Sequence, residues 1–410
     1  MVRRGANQPS VGGYNQAVVL DQIRRADGLS RVELAATTGL SAQTVSNICA
    51  RLLDAGIIEE AGRSAAAAGP GKPRTTLRLV GTSRYAVGVH LDPSVLTFVL
   101  LGIDGAVIDS RTRPTPSAND PEHTVRLIVT EIDRLLNTSA VDRDRVVGVG
   151  IAAPGPIDAE RGIIVDPPNL GGWHRVPLRD AIAEGTGLPV VLDKDVTAAA
   201  VAERWNERAP GGMSFAFLYI GIGLGVGLVL GEDIVRGGSG NAGEIGHIPV
   251  DPDGPPCACG SRGCVAVSCT PAALVAEAEA LGLLATTHAD NDPRSIDEAL
   301  TRLVELAAAG DEGALALLER AAERIARALA VVCNLLDVDR VIIGGPMWHR
   351  LAPWLEADIP ELLTALLVAR GLHHVDVAGT GLGDDVGAIG AACLVLDAAL
   401  APQPRSLLLS

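Results

Sequence analysis

Residues 243–264, GEIGHIPVDPDGPPCACGSRGC, gather one histidine and three cysteines in a chain that has only seven cysteines among 410 residues. His247, Cys257, Cys259 and Cys264 follow the spacing H-x9-C-x-C-x4-C. One imidazole and three thiolates make a closed tetrahedral set suited to zinc, with no coordination position left for a catalytic water. If the four side chains are to meet, the segment must fold back on itself, and Gly260 permits the tight loop. The alternative is a loop of reduced cysteines. Cys49, Cys269, Cys333 and Cys393 stand in apolar surroundings and read as small core residues. An odd number of cysteines in a long chain does not suggest a disulfide framework.

A chain of this length exceeds one compact core, so two or three domains are expected. Aromatic residues make up only 2% of the sequence, so the cores must be built from Ala, Val, Leu and Ile. No apolar run is long enough for a bilayer span and no export signal opens the sequence, from which a cytoplasmic location is expected. The formal net charge is −15, which argues against nucleic acid until its distribution is considered. Residues 1–80 carry +4 and the remainder −19. A basic head on an acidic body fits a small DNA-binding module joined to something else.

The head has a helical apolar pattern over 14–28. Ser30 followed by Glu33 is a capping box for a helix over 31–38 ending at Gly39. Ser41 caps a second helix running to about Asp54, with Val45, Ile48, Leu52 and Leu53 inward. Two short helices about a glycine turn read as helix-turn-helix. Gln43, Thr44, Ser46 and Asn47 would face the major groove, where such side chains hydrogen-bond to base edges. A strand beginning near Ile58, the loop 63–73 and the alternating strand RTTLRLV (74–80) complete a winged helix. Lys72 and Arg74 at the wing would touch phosphate or a minor groove. A generic three-helix packing module with a solvated polar face is the other reading.

The body reads as α/β. Strands are expected over 85–109 (three, with turns), 145–153, 188–194, 214–235 (a glycine-rich hairpin) and 338–344. They alternate with helices such as 271–282, 296–310 and 313–335, enough for two lobes with a cleft. The stretches GVGIAAPGPID, DKDVTAAAVAE, GIGLGVGLVLGE, NAGEIGHIPVDPDGPPCACGSRGC, VIIGGP and GDDVGAIGAA resemble the ROK family of repressors and sugar kinases, and the cysteine stretch is the most specific of them.

The resemblance covers nearly the whole chain and implies an N-terminal winged helix-turn-helix followed by a two-lobed, actin-like (ribonuclease-H-like) α/β body. Expected bounds are 1–80 for the head, 81–197 plus 384–410 for the first lobe, and 198–383 for the second lobe with its structural Zn2+. The resemblance implies that Glu244 and His247 contact sugar hydroxyls while the metal pins their loop. Asp195 matches the family's catalytic base, but Lys194 replaces the asparagine before it. The first phosphate turn, D-x-G-x-T in kinases, is Asp92-Pro93-Ser94-Val95-Leu96 here. Ile222 replaces the threonine of the second phosphate loop, and Val265-Ala266 replaces Leu-Glu after the last cysteine. At roughly 1–3 kcal/mol for each missing polar contact, these losses together abolish useful turnover.

Asp195 is therefore read as a vestigial base. The ligand-binding candidates are Asn169, Asp195, Glu244 and His247. Lys194 would meet a phosphate or carboxylate on the ligand, or be a solvated lysine; Gly344 and Gly345 would border an adenosine-sized hollow. The expected function is a sugar- or sugar-phosphate-responsive transcriptional regulator, a repressor of carbohydrate or aminosugar genes. It would act as a homodimer or homotetramer on a pseudo-palindromic DNA operator, away from membranes. The alternatives are an ATP-dependent sugar kinase carrying a DNA-binding head, and a DNA-binding dimer with a non-functional cleft.

Overall fold

A computed structural model describes residues 8–26, 28–64, 74–116, 120–168, 170–206, 213–286 and 293–400. The head comprises α1 (Gln8–Arg25), β1 (Leu29–Ser30), α2 (Arg31–Thr38), α3 (Ala42–Asp54), β2 (Ile58–Ser64) and β3 (Arg74–Leu79). Its strands pair antiparallel in the order β1-β3-β2. The Ser30–Glu33 capping box opens α2, and Gly39, at φ +69°, closes it. Ser41 accepts the Thr44 N–H to open α3. Val19, Ile23, Leu34, Val45, Ile48, Leu52, Ile58 and Leu77 form one small core. A helix-turn-helix with a β-wing is thus built from two caps and one apolar face per helix.

The first lobe holds β4 (Tyr85–Leu91), β5 (Val95–Gly102), β6 (Val107–Pro114), α4 (Pro121–Thr138), β7 (Val146–Ala153), the short pair β8 (Ile157–Asp158) and β9 (Ile163–Ile164), α5 (Leu178–Thr186) and β10 (Val190–Lys194), and its sheet is covered by the last helix, α13 (Val386–Leu400). The second holds α6 (Asp195–Asn206), which covers its sheet, with β11 (Phe215–Ile220), β12 (Leu224–Leu230), β13 (Asp233–Ile234), α7 (Val265–Ser268), α8 (Pro271–Ala280), α9 (Pro293–Ala308), α10 (Glu312–Leu336), β14 (Arg340–Gly344), α11 (Trp348–Leu355), α12 (Ile359–Leu366) and β15 (Asp376–Gly379).

The two lobes repeat one plan. The first sheet runs β10-β7-β4-β5-β6 and the second β15-β14-β11-β12-β13. In each, the first three strands form an antiparallel meander, and the last two join parallel to the first. Strands β4, β7 and β11 are buried along almost their whole length, which is why they read as continuous apolar runs. Helices α6 and α13 lie between the sheets in a shared core with residues of both. They meet so closely that a Cβ on Gly390 would lie 2.0 Å from the Ala198 carbonyl oxygen. Among the described residues no helix is long and apolar enough to cross a membrane.

Candidate functional site: ligand cleft, metal cluster and nucleic-acid interface

The cleft is bordered by two equivalent turns, residues 92–94 between β4 and β5 and 221–223 between β11 and β12. They approach each other, since a Cβ on Gly221 would lie 3.8 Å from an Asp92 carboxylate oxygen. Asp92 is buried, and one of its oxygens accepts both the Ser94 N–H (2.8 Å) and the Ser94 hydroxyl (2.6 Å). This turn is therefore satisfied internally: the N–H that a phosphate turn would offer is already bound to its own aspartate.

Asp195 opens α6, and its carboxylate accepts the Val196 N–H at 2.7 Å. Burial pushes its carboxyl up to about 7, reinforced by the charges of Asp92 and Glu244; the Val196 N–H and the Lys194 charge pull the other way. Lys194, at the end of β10, is not a solvated lysine. Its buried ammonium forms an ion pair with Glu244 and donates to the Ala242 carbonyl at 3.2 Å. Gly155 seats the neighbouring loop against this pair: a Cβ there would lie 3.0 Å from Lys194 Cε. Beside it, Arg236 Nε donates to the buried Asp193 carboxylate at 2.7 Å. Asn241 ties the wall to the first lobe, accepting the Ile157 N–H and donating to the Ile157 carbonyl, both at 2.8 Å. The structure thus brings Asp195, Lys194 and Glu244 together, while Asn169 lies outside the described residues.

The four sulfur and nitrogen donors of the cysteine stretch converge. His247, Cys257, Cys259 and Cys264 each offer a ligand atom, and all four atoms lie within 4.8 Å of one another. The histidine turns Nδ1 toward Cys257 Sγ (3.4 Å), and Cys259 Sγ lies 3.7 Å from Cys264 Sγ. Backbone bonds pre-form this knuckle: Val250 N–H to Gly263 O, Cys257 N–H to Ser261 O, and Gly263 N–H to Pro255 O, each 2.8 Å. Gly260 takes φ +90° at the tight turn. Arg324 of α10 anchors the knuckle from below, pairing with Asp251 (2.7 Å) and Glu277. The sequence offered no signal for Arg324, and none for the role of Asn241 within its motif, because both act across long separations. The cluster can hold a metal ion. Cys49, Cys269, Cys333 and Cys393 are buried, as expected of core residues.

On α3, Gln43, Ser46 and Asn47 are exposed and Thr44 is half-buried. Gln43 Nε2 donates to Asn47 Oδ1 (2.9 Å), and the Ser41 and Thr44 hydroxyls lie 2.8 Å apart. Arg74 begins β3, and Lys72 lies outside the described residues. A cavity of about 420 Å³ in the second lobe is lined by Gly345, Trp348, His349, Glu356, Thr380 and Asp384 among others. Gly345 borders it as expected; Gly344 instead packs against Thr380 and Phe217.

The ROK family profile matches residues 87–398, and a MarR family profile matches residues 13–66. A glucokinase of Thermotoga maritima is 31% identical over 75% of this chain and 96% of its own length. The xylose repressor of Bacillus subtilis is 24% identical over 96% of this chain and 97% of its own. The crystal structure of a ROK family transcriptional regulator, a homologue of the E. coli MLC protein, superposes with a TM-score of 0.76 at 23% identity, covering 98% of each chain, which shows a shared fold. A buried two-sheet body with the repeated strand order, preceded by a MarR-type winged helix, is matched over its length: the chain belongs to the ROK family.

Proposed function

We propose that this protein is a sugar-responsive DNA-binding repressor of carbohydrate genes whose kinase site has decayed. The observation that carries this reading is the Asp92–Ser94 turn, closed on itself where a kinase would cradle phosphate, in a chain that also bears a capped recognition helix. The full-length match to a xylose repressor supports it. Gln43, Thr44, Ser46 and Asn47 read base edges, and Lys72 and Arg74 of the wing touch the backbone. A homodimer or homotetramer sets two such helices on a pseudo-palindromic operator.

Asp195 and Glu244 accept from sugar hydroxyls, and His247 contributes the ring nitrogen not turned to the cysteines; Asn169 completes the set. Lys194 and Arg236 are each neutralised by a carboxylate, which favours an uncharged sugar over a sugar phosphate. The ligand shifts the population of lobe arrangements and so the spacing of the heads.

The metal of the knuckle is zinc. With Zn–S near 2.3 Å, tetrahedral sulfurs sit about 3.8 Å apart, and the Cys259–Cys264 separation is 3.7 Å. Bound there, zinc supplies no chemistry; it fixes the loop that carries Glu244 and His247.

The second reading, a sugar kinase with a DNA-binding head, is favoured by one observation: Asp195 stands at the head of α6 with its carboxyl raised to about 7, near the value suited to a general base. ADP release from ATP, magnesium and a panel of glucose, xylose and N-acetylmannosamine decides. Background rates support the repressor, and turnover near 1 per second or more establishes the kinase. Retention of a duplex selected from random DNA, released by one of the same sugars, tests the regulator directly. Absence of stabilisation by any sugar points to a body that only dimerises.

A further inference from the structure

We infer that the winged helix is latched to the body by Arg24 closing on Trp205, and that α6 makes this latch report on the cleft. The inference rests on the reading of the cleft as the ligand site and the head as the DNA-binding unit.

Arg24 sits at the last turn of α1 with its side chain only 9% exposed. Its guanidinium carbon lies 4.1 Å from the centroid of the Trp205 ring, and it also donates to the Trp205 carbonyl. Asp21, one turn earlier, holds the guanidinium in place at 2.7 Å and takes Arg25 on its other oxygen at 2.8 Å. Arg25 reaches on to Glu232 of the second lobe at 3.3 Å. Leu400, at the end of α13, packs against both the head core and the inter-lobe core. A cation over an indole face is worth most when both are shielded from water, and this pair is. Of the four tryptophans in the chain, this one is spent at the seam.

Trp205 is the penultimate residue of α6, and Asp195 is its first. Twelve residues of helix make a rigid rod about 18 Å long, with the candidate ligand carboxylate at one end and the latch at the other. The rod is braced rather than free to slide. Arg204 pairs with Asp397 of α13, and α13 crosses α6 at the Gly390–Ala198 contact. The other end of α13 packs on His90, beside the cleft: a Cβ on Gly387 would lie 3.0 Å from its ring. Both helices therefore run from the cleft wall to the seat of the head. A displacement at Asp195 moves the platform on which α1 rests, and with it the aim of α3.

Hydrogen exchange on the full chain, with neither DNA nor sugar, tests the latch separately from the function proposed above. Arg24→Met removes the cation from the head side, and Trp205→Phe weakens the ring from the body side. Each should speed exchange at residues 20–25 and 203–206 by about tenfold, as expected for loss of a shielded cation–π contact, and the acceleration should extend to Val196–Ala200 at the cleft. The double variant should exceed neither single by much, as for two halves of one contact. Arg51→Met, an exposed arginine on α3, should leave all these segments unchanged. Should Arg24→Met loosen the head core itself, Trp205→Phe, which lies in the body, decides alone. Additive effects in the double variant, or a loosened seam with an unaltered cleft end, would overturn the inference.

Discussion

Removing either partner of the Lys194–Glu244 pair should have very unequal consequences. The Lys194 side chain is 3% exposed and that of Glu244 64%. In Glu244→Ala the ammonium stays buried with one carbonyl, that of Ala242 at 3.2 Å. An uncompensated buried charge costs about 3–5 kcal/mol; since the pair opens to water at the Glu244 end, about 2–4 kcal/mol is expected. In Lys194→Met the carboxylate is already mostly hydrated and rehydrates at little cost, while methionine fills the space of the lysine stem. The expected change is about 1 kcal/mol or less. The double variant should resemble Lys194→Met, so the coupling energy equals the Glu244→Ala loss, about 2–4 kcal/mol. Urea unfolding followed by circular dichroism at pH 7 measures all three, provided the slopes agree. Equal losses from the two single variants, or a double variant that merely adds them, would refute the asymmetry argued from burial. A sugar response lost in Glu244→Ala and regained in the double variant would trace to the stranded lysine.

Three further outcomes are expected. Asp195 has a folded value of about 7 against an ordinary 3.8, so the folded chain binds this proton more tightly and its stability falls as pH rises through that window. Asp195→Asn lacks the titration and should gain stability at pH 8, with a ceiling of about 4 kcal/mol, and less than half of that at pH 5; a gain independent of pH would show that burial does not raise the group. Cys259→Ser should release the metal and loosen the knuckle, and full metal content by elemental analysis would disprove the four-residue cage. Asn47→Ala should weaken binding to a selected operator by about 1–3 kcal/mol while leaving the fold intact, and unchanged affinity would remove α3 from the major groove.

The elements legible in the sequence were those whose signals are local. Ser30 and Glu33 cap α2 as their spacing requires, Ser41 starts α3, and the buried runs around Val87, Ile151 and Phe217 became central strands. The metal-ligand spacing was equally explicit, because a closed cage demands four donors within a short loop. What stayed hidden depends on distant partners. Lys194 read as a ligand contact or a solvated side chain because nothing near it in sequence announces Glu244, fifty residues on. The sequence shows a glycine-rich hairpin over 214–235 but not why Gly227 is there: it serves packing, since a Cβ would lie 2.1 Å from the Val196 carbonyl oxygen. Arg24 carries no local signal, because its partner Trp205 is brought to it only by the fold.

The repeated strand order has a further consequence. Each half-body carries its own copy of a three-residue bend after its leading strand, Asp92-Pro93-Ser94 in one and Gly221-Ile222-Gly223 in the other. The two matching corners differ in what they give their scaffolds: residues 92–94 stand outside the apolar core of their lobe, whereas Ile222 is part of the core of its own. One corner has curled onto its own acid; the other closes its Gly221 N–H on the Gly223 carbonyl at 2.9 Å. A duplicated frame of this kind lets each corner settle its hydrogen bonds separately, one through a carboxylate and the other through the main chain.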